Sequence, residues 1–522
     1  MRKPSTLVRL ALLVFTAVVV GVVSAQSSTV LRVASTAAVT TWDPSLSFST
    51  EAFYMANLYE PLIWANAAGS DEQFTPALAT SWELSDDGLS WTFHLRDGVK
   101  FHDGETMDAD AVVRSIERHK AIGGAAFIWE PVDKIVAVDD LTVRFDLKYP
   151  TPLDLVVASS NGAWIVSPAA LDAAEEDASY FEAGIAAGTG PYMLAEYQPD
   201  AEVVLRAFPD YWGGWGDVEH FENVVIRIVS DAVLQEQMLL AGEVDLALSL
   251  PVTSYQSILD NPAYNVQTVV TPYSYLGFLN TLRAPLDDVR VRQAIAYAVP
   301  YLDLIAVGAE GFASQARGPV PQGIFPWSEE IPQYHQDLEK ARALLAEAGH
   351  EGGGFTLHLT YSAENAIERA FAPVLADGLA EIGIKVEIEP LLWNQQWAVA
   401  KDDPENAQDI FLVLYWPTIS DAGSDNLWTM FHSSDAPYFN LSYWKNDKFD
   451  DLVDEAIKLT GTDRDAAQAL YLDAMDIVYD EAPGLFFFDY GGWFAIPTYL
   501  AGYEYNVNYP FATFFYPLHL AN

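Results

Sequence analysis

Cysteine is absent from all 522 residues. No disulfide, thiolate metal site or lipid-modified cysteine is therefore available, and stability has to come from an apolar core. Bases are scarce, with 27 Lys and Arg against 73 Asp and Glu, a formal charge of −46 at pH 7. A body so acidic is repelled by nucleic acid and by anionic lipid surfaces, and both are excluded as partners. The excess reads as a solubility device or an adaptation to a saline medium, with a cationic ligand as the second reading. Long apolar runs are missing beyond the start. The run at residues 10–23 falls short of the roughly 20 apolar residues of a spanning helix, and no later stretch qualifies. GxSxG, a phosphate loop and HExxH are also missing, and with them the chemistries those motifs carry. No cofactor is expected.

Half of the chain is apolar (51%), enough for the two or three cores that a chain of this length implies. Residues 1–25 combine Arg2, Lys3 and Arg9, an apolar run and the small residues Val23-Ser24-Ala25, the pattern of a secretory signal peptide. The remainder is expected to be a soluble, freely diffusing periplasmic protein and not a lipoprotein. Within residues 81–118, Trp91, Phe93 and Leu95 alternate after an Asp86-Asp87-Gly88 turn, which predicts a hairpin with one buried face. Asp97-Gly98 and Asp103-Gly104 bracket a short strand at 99–101, and Asp108 is placed to cap a helix carrying Val112, Val113 and Ile116. Strand 224–229, helix 234–240 and the following Val244-Asp245-Leu246 read as a βαβ unit. Helices 338–349 and 370–382 alternate with strands 355–360 and 384–388, repeating that logic. The run Leu485-Phe486-Phe487-Phe488, apolar on both faces, predicts a buried strand.

The wording of these stretches is more specific than their periodicity. From Ala77-Leu78-Ala79 through SWELSDDGLSWTFHLRDGVKFHDG to Arg118, then at Gly188-Thr189-Gly190-Pro191-Tyr192 with Tyr211-Trp212-Gly213-Gly214, at Ala241-Gly242-Glu243-Val244-Asp245, and at residues 285–295, the chain resembles the family 5 extracellular solute-binding proteins, the peptide and nickel receptors of ABC importers. The resemblance spans almost everything after residue 25. It implies an α/β, bilobed periplasmic-binding-protein fold of type II, with an extra subdomain inserted in the first lobe. Lobe one would comprise 26–60, 175–272 and 485–522, the inserted subdomain 61–174, and lobe two 273–484, with a two-strand hinge near 272 and 485. It implies a monomer that captures a peptide or other small solute without catalysis and delivers it to a membrane ABC permease. An oligosaccharide or a nickel or metallophore ligand is the alternative within that class. A secreted glycoside hydrolase is the alternative outside it, because abundant carboxylates fall at glycosidase spacing by chance.

Ligands of α/β sheets collect beyond strand carboxyl ends. The strand 410–416 ends in the loop Pro417 to Trp428, which resembles the family's ligand loop. Trp416 matches, as a stacking surface or a core residue. Thr418 falls on or beside the position of the aspartate that takes a peptide's α-ammonium, and a neutral hydroxyl cannot replace that counter-charge. Asp421 stands at the loop's second acid, as a ligand contact or a loop cap. Trp393 and Trp397 could line the same cleft, as could Trp42, in a small-residue loop after the first strand, which otherwise plugs the core. His94 and His102, eight apart, read as structural or surface histidines, with metal ligation as the second reading.

Overall fold

The computed structural model describes residues 30–47, 50–66, 70, 72–216, 220–433 and 439–521. The signal-peptide segment lies outside them. Three sheets of four or more strands organise the described chain, beside two two-stranded ones. In the first, Leu246–Ala247, Val30–Ser35 and Asn223–Ile228 lie parallel, and the antiparallel strands Glu202–Ala207 and Tyr192–Gln198 extend it. Helix Ala232–Leu240 joins Asn223–Ile228 to Leu246–Ala247, and both strands flank Val30–Ser35. The expected βαβ unit is therefore present, with the first strand inside it. Asp231 caps its helix by accepting from Leu234 N at 2.8 Å, and Gly242 beyond the last turn takes φ +70°.

The second sheet is antiparallel, in the order Ala79–Leu84, Ser90–Leu95, Thr142–Leu147, Val132–Asp139. Trp91, Phe93 and Leu95 bury as their alternation predicted. Helix Ala109–Ile122 packs on this sheet through Val112 and Ile116, capped by Asp108 accepting from Ala111 N at 2.9 Å. The strand expected at 99–101 shrinks to a single bridge, Lys100 to Thr106, because the two Asp-Gly turns leave too few residues between them to pair further.

The third sheet runs Ala313–Gln315, Gly484–Pro497, Tyr264–Leu279, Ile410–Tyr415, Thr356–Ser362, Lys385–Leu391. Helices Val289–Ala298, Leu338–Glu347 and Ala366–Ala380 cover it. The last of these begins four residues before the expected 370, because Asn365 accepts from Ile367 N (3.0 Å) and Glu368 N (3.1 Å) and fixes an earlier start. Pro373 sits inside the helix, past the point where a proline would mark its beginning.

Two long strands of this sheet belong to more than one core. Tyr264–Leu279 and Gly484–Pro497 pair antiparallel from Tyr264 opposite Pro497 to Phe278 opposite Gly484, with register shifts between Val270 and Ser274 and between Tyr275 and Leu276. Leu485, Phe487 and Phe488 bury in the core of the six-stranded sheet. Trp493 and Ala495 pack with Met238 and Leu239, and Ile496 joins the core of the five-stranded sheet. Pro272, which has no N–H to give the ladder, falls in the first register shift.

The signature stretches hold the first two bodies together. Glu60, 1% exposed, follows the first helix and accepts from Tyr211 Oη at 2.9 Å and Trp212 Nε1 at 2.8 Å. Burial pushes its carboxyl up to about 7, and the Arg96 guanidinium lies 4.0 Å over the Trp212 ring. His102 N donates to Gly188 O at 2.9 Å, and its Nε2 lies 2.9 Å from Gly190 O. Burial lowers this imidazole to about 4, so it is a neutral packing group. His94 is exposed on its strand, and no group of metal-binding side chains occurs among the described residues. No helix among them is long and apolar enough to cross a membrane.

Gly188 and Gly190 pass directly over the end of the first helix. A Cβ on Gly188 would lie 2.1 Å from Leu58 O, and one on Gly190 2.6 Å from Asn57 O. Gly188→Ala is expected to cost about 2–4 kcal/mol in urea denaturation, because backbone must move. Gly98→Ala, at φ +76° with nothing within 4 Å, meets only the left-handed penalty of about 1–2 kcal/mol. Equal losses in the two variants would refute the close approach as the reason for glycine at 188.

Candidate functional site

Where the three bodies meet, a cavity of about 790 Å³ opens. Val269 and Val270 contribute the long strand at its irregularity, Gln322 and Phe325 the segment after Ala313–Gln315, Ser420 the loop after Ile410–Tyr415, and Tyr505 and Asn508 the C-terminal segment. Each contributor is fixed by its own hydrogen bonds. Asn506 Nδ2 donates to Ala65 O at 2.8 Å and Asn508 Nδ2 to Asn66 O at 2.7 Å, which pins the C-terminal segment beside the second body. Asp489, on Gly484–Pro497, accepts from Ser274 Oγ at 2.5 Å and from Gln322 N at 3.0 Å. One carboxyl therefore anchors both long strands and the Gln322 segment, and burial pushes it up to about 7.

The wall is made of carboxamides (Asn66, Gln73, Gln322, Asn508), aromatic rings (Phe325, Trp327, Tyr505) and aliphatic groups. Among its described residues none is Asp, Glu, Lys or Arg. Such a surface offers paired donors and acceptors beside flat apolar faces, which suits amide or hydroxyl groups on an otherwise apolar solute.

The loop at 416–425 lies against this cavity, and the structure separates the roles of its residues. The strand ends at Tyr415. Trp416 stands half-buried and edge-on to Tyr273 (centroids 6.2 Å, 79°), and Tyr273 meets Phe511 at 5.9 Å. It thus sits at the junction of the long strand, the loop and the C-terminal segment, without forming part of the described cavity wall. Thr418 N donates to the Asp425 carboxylate, and Thr418 O accepts from Ser159 Oγ at 3.2 Å. The Thr418 backbone is therefore committed within the protein. Asp421 is fully buried and acts as a cap. Its Oδ1 accepts from Gly423 N at 2.8 Å and Ser424 N at 3.2 Å, at the start of the π turn Gly423–Leu427, and Oδ2 has no partner among the described residues. Burial pushes Asp421 and Asp425 up to about 6 each.

Three aromatic candidates lie elsewhere. Trp42, 1% exposed, packs between Tyr54 (5.6 Å) and Tyr197 (5.1 Å) in the core of the five-stranded sheet, so its loop buries it and it lines no cleft. Trp393 and Trp397, on helix Trp393–Asp402, lie tilted against each other at 5.7 Å and pack on Phe411 and Phe439 respectively. That helix returns onto its own sheet, which takes both rings away from the cavity. The residues that do line it, Gln322, Phe325, Tyr505 and Asn508, lie in Gly- and Pro-punctuated segments without periodicity. Their one sequence signal is aromatic and amide side chains clustered in such loops.

A model of the bacterial extracellular solute-binding proteins, family 5 (middle) matches residues 73–438. Heme-binding protein A of Haemophilus influenzae is 32% identical over 439 residues, covering 78% of this chain and 77% of that protein. A probable D,D-dipeptide-binding periplasmic protein of Escherichia coli is 30% identical over 433 residues, covering 82% of each. The solved structure of an ABC transporter-associated periplasmic binding protein from Helicobacter pylori in complex with the peptide STSA superposes with a TM-score of 0.74 at 27% identity, covering 94% of this chain and 98% of that one.

The cap at Asp421 predicts a pH signature. Its carboxyl moves from an ordinary 3.8 to about 6 on folding, so the folded chain holds the extra proton inside that window and this group's contribution to stability falls as pH rises through it. Asp421→Asn keeps an oxygen for Gly423 and Ser424 and removes the titration. Between about pH 4 and pH 6 its stability should decline less steeply than wild type. Asp421→Ala loses the acceptor and should cost about 1–2 kcal/mol. Thermal melts across this range that show an unchanged slope in Asp421→Asn would remove Asp421 from the titrating set.

Proposed function

Because this chain belongs to the family 5 bacterial extracellular solute-binding proteins, we propose that it captures a peptide or related solute in the periplasm and delivers it, without chemical turnover, to a membrane ABC permease. The fold is the bilobed α/β fold of that family. The observation that carries the reading is the cavity whose walls come from both sides of the paired long strands. A ligand held there touches both lobes at once and so favours their closure. The proposed lobe one is 26–60, 175–272 and 485–522, lobe two is 273–484, and 61–174 forms the inserted subdomain. The register shift around Pro272 interrupts the two-strand connection and is the proposed hinge.

A peptide is favoured by the D,D-dipeptide-binding relative and the STSA-bound neighbour, and by the carboxamides of the wall, which match main-chain N–H and C=O groups. Asp421 is capped within its loop and is not proposed as the partner of a ligand ammonium. Trp416 is retained as a proposed ligand contact because it packs on Tyr273, on the long strand whose Val269 and Val270 line the cavity. The acidic body and the signal sequence support a freely diffusing monomer, and the absence of cysteine leaves no site for a lipid anchor of the thioether type.

Native mass spectrometry of the secreted chain against random peptides, neutral oligosaccharides and nickel chelates decides among ligand classes. Peptide adducts are expected, together with a smaller radius of gyration in solution scattering when a retained peptide is added. Trp416→Ala should weaken those peptides by about 1–3 kcal/mol, the scale of a buried aromatic anchor. Release of a hydrolysed product with no bound complex would reject a receptor role.

A further inference from the structure

The inserted subdomain is joined to its two neighbours in unequal ways. On lobe one it is held by the contacts of Glu60 and His102, and by a forked pair in which Arg118, on helix Ala109–Ile122, donates to Asp43 Oδ1 at 2.6 Å and to Oδ2 at 2.5 Å. Toward lobe two, Ile419 is the side chain that packs on the subdomain's apolar core, and Ser159 Oγ donates to Thr418 O at 3.2 Å. The turn between helices Asp447–Thr460 and Arg464–Glu481 lies against the subdomain, close enough that a Cβ on Gly461 would be 3.3 Å from Trp91 Cζ2. From the first residue of the second of these helices, Arg464 donates to Asp154 Oδ2 at 2.7 Å and to Gln73 Oε1, with its guanidinium 5.4 Å over the Phe74 ring. Asp154, Gln73 and Phe74 all belong to the subdomain, and Gln73 lines the cavity.

We infer that Arg464 is a positioning residue for solute capture, a latch that joins lobe two to the inserted subdomain in the closed form and fixes the Gln73 carboxamide in the cavity wall. The inference rests on the proposed lobes and their closure. Rotation at the hinge carries the subdomain with lobe one, because the Arg118, Glu60 and His102 contacts hold those two together, so the contacts of Arg464 are among those that break on opening and form on closing. Asp154 decides which form they favour. Its side chain is 7% exposed, burial pushes its carboxyl up, and Arg464 opposes that shift. A buried carboxylate needs a counter-charge and a hydrated one does not, so the guanidinium stabilises the closed form over the open one. The guanidinium carries donors only, and the Gln73 carboxamide therefore turns its oxygen to Arg464 and keeps its NH2 as the group left for a ligand carbonyl. Closure and the choice of donor at this point of the wall thus depend on one side chain.

Because the chain lacks cysteine, one spin label on the subdomain and one on lobe two can be introduced at exposed positions by Asp133→Cys and Asp473→Cys, and their separation read by pulsed dipolar spectroscopy on the full secreted chain without added ligand. Arg464→Met, which keeps the length and loses the charge, should raise the ratio of long to short separations about tenfold, and Arg464→Lys should return most of the short population. Asp154→Asn should act in the same direction as Arg464→Met, and the double variant should stay within about twofold of Arg464→Met, because each partner acts through the other. A peptide retained from a random pool should bind Arg464→Met and Gln73→Ala about fivefold more weakly in isothermal titration, the loss of one hydrogen bond, with separations unchanged in Gln73→Ala. Melting temperatures near wild type establish that the variants fold, and Asp154→Asn carries the test where Arg464→Met does not. Identical separations in wild type and both charge variants, or effects that add in the double variant, overturn the latch and leave the receptor reading intact. Full peptide affinity in both Arg464→Met and Gln73→Ala overturns the positioning role. Retention of no peptide by wild type overturns the peptide reading, and the separations then decide the latch alone.

Discussion

The antiparallel pairing of Tyr264–Leu279 with Gly484–Pro497 is the constraint on which the rest of the molecule depends. Each strand is long enough to enter two cores, so the bodies at its two ends share a covalent and hydrogen-bonded axis. Two breaks in register, the first around Pro272, interrupt this axis where the cavity meets it. At the proposed hinge, rotation about a short irregular stretch would cost less than deformation within a core, since interiors are close-packed and resist strain. Asp489 sits beside this stretch and ties it to Gln322, so the cavity wall is carried along with the strands.

The stretches of sequence by which this chain resembles its family are architectural. Gly188 and Gly190 allow a loop to cross the end of the first helix, His102 closes on their carbonyls, and Glu60 gathers Tyr211 and Trp212. Together with Arg96 over Trp212, these contacts hold the inserted subdomain on the first sheet. None of these residues lines the central cavity. The family's identity is thus written in the joint between two bodies, and ligand choice is left to loops that can vary without disturbing it.

Those loops are held by buried acids of a different kind. Asp421, Asp425 and Asp489 are each raised toward neutrality by burial, and each takes backbone donors from the segment it anchors. In a chain with so many carboxylates, these few are distinguished by position. They serve as staples for irregular backbone, where helix and sheet hydrogen bonds are not available.

The sequence by itself determined the elements whose residues carry a period or a cap. The hairpin around Gly88, the helix after Asp108, the βαβ unit ending at Leu246, and the buried strand at 485–488 all follow from local alternation, turn chemistry and capping, which act over a few residues. Only the tertiary structure decided which aromatic and acidic side chains face the cavity. Trp42, Trp393 and Trp397 share their chemistry with rings that line a cleft, yet Trp42 is buried in the core of its own sheet, and Trp393 and Trp397 pack on Phe411 and Phe439 with Trp393 left exposed. Asp421 has the charge to meet a ligand, and the turn that follows it takes that oxygen first. The cavity itself joins residues from positions 65 to 508, and proximity across that separation is set by how three cores pack, which no local pattern encodes.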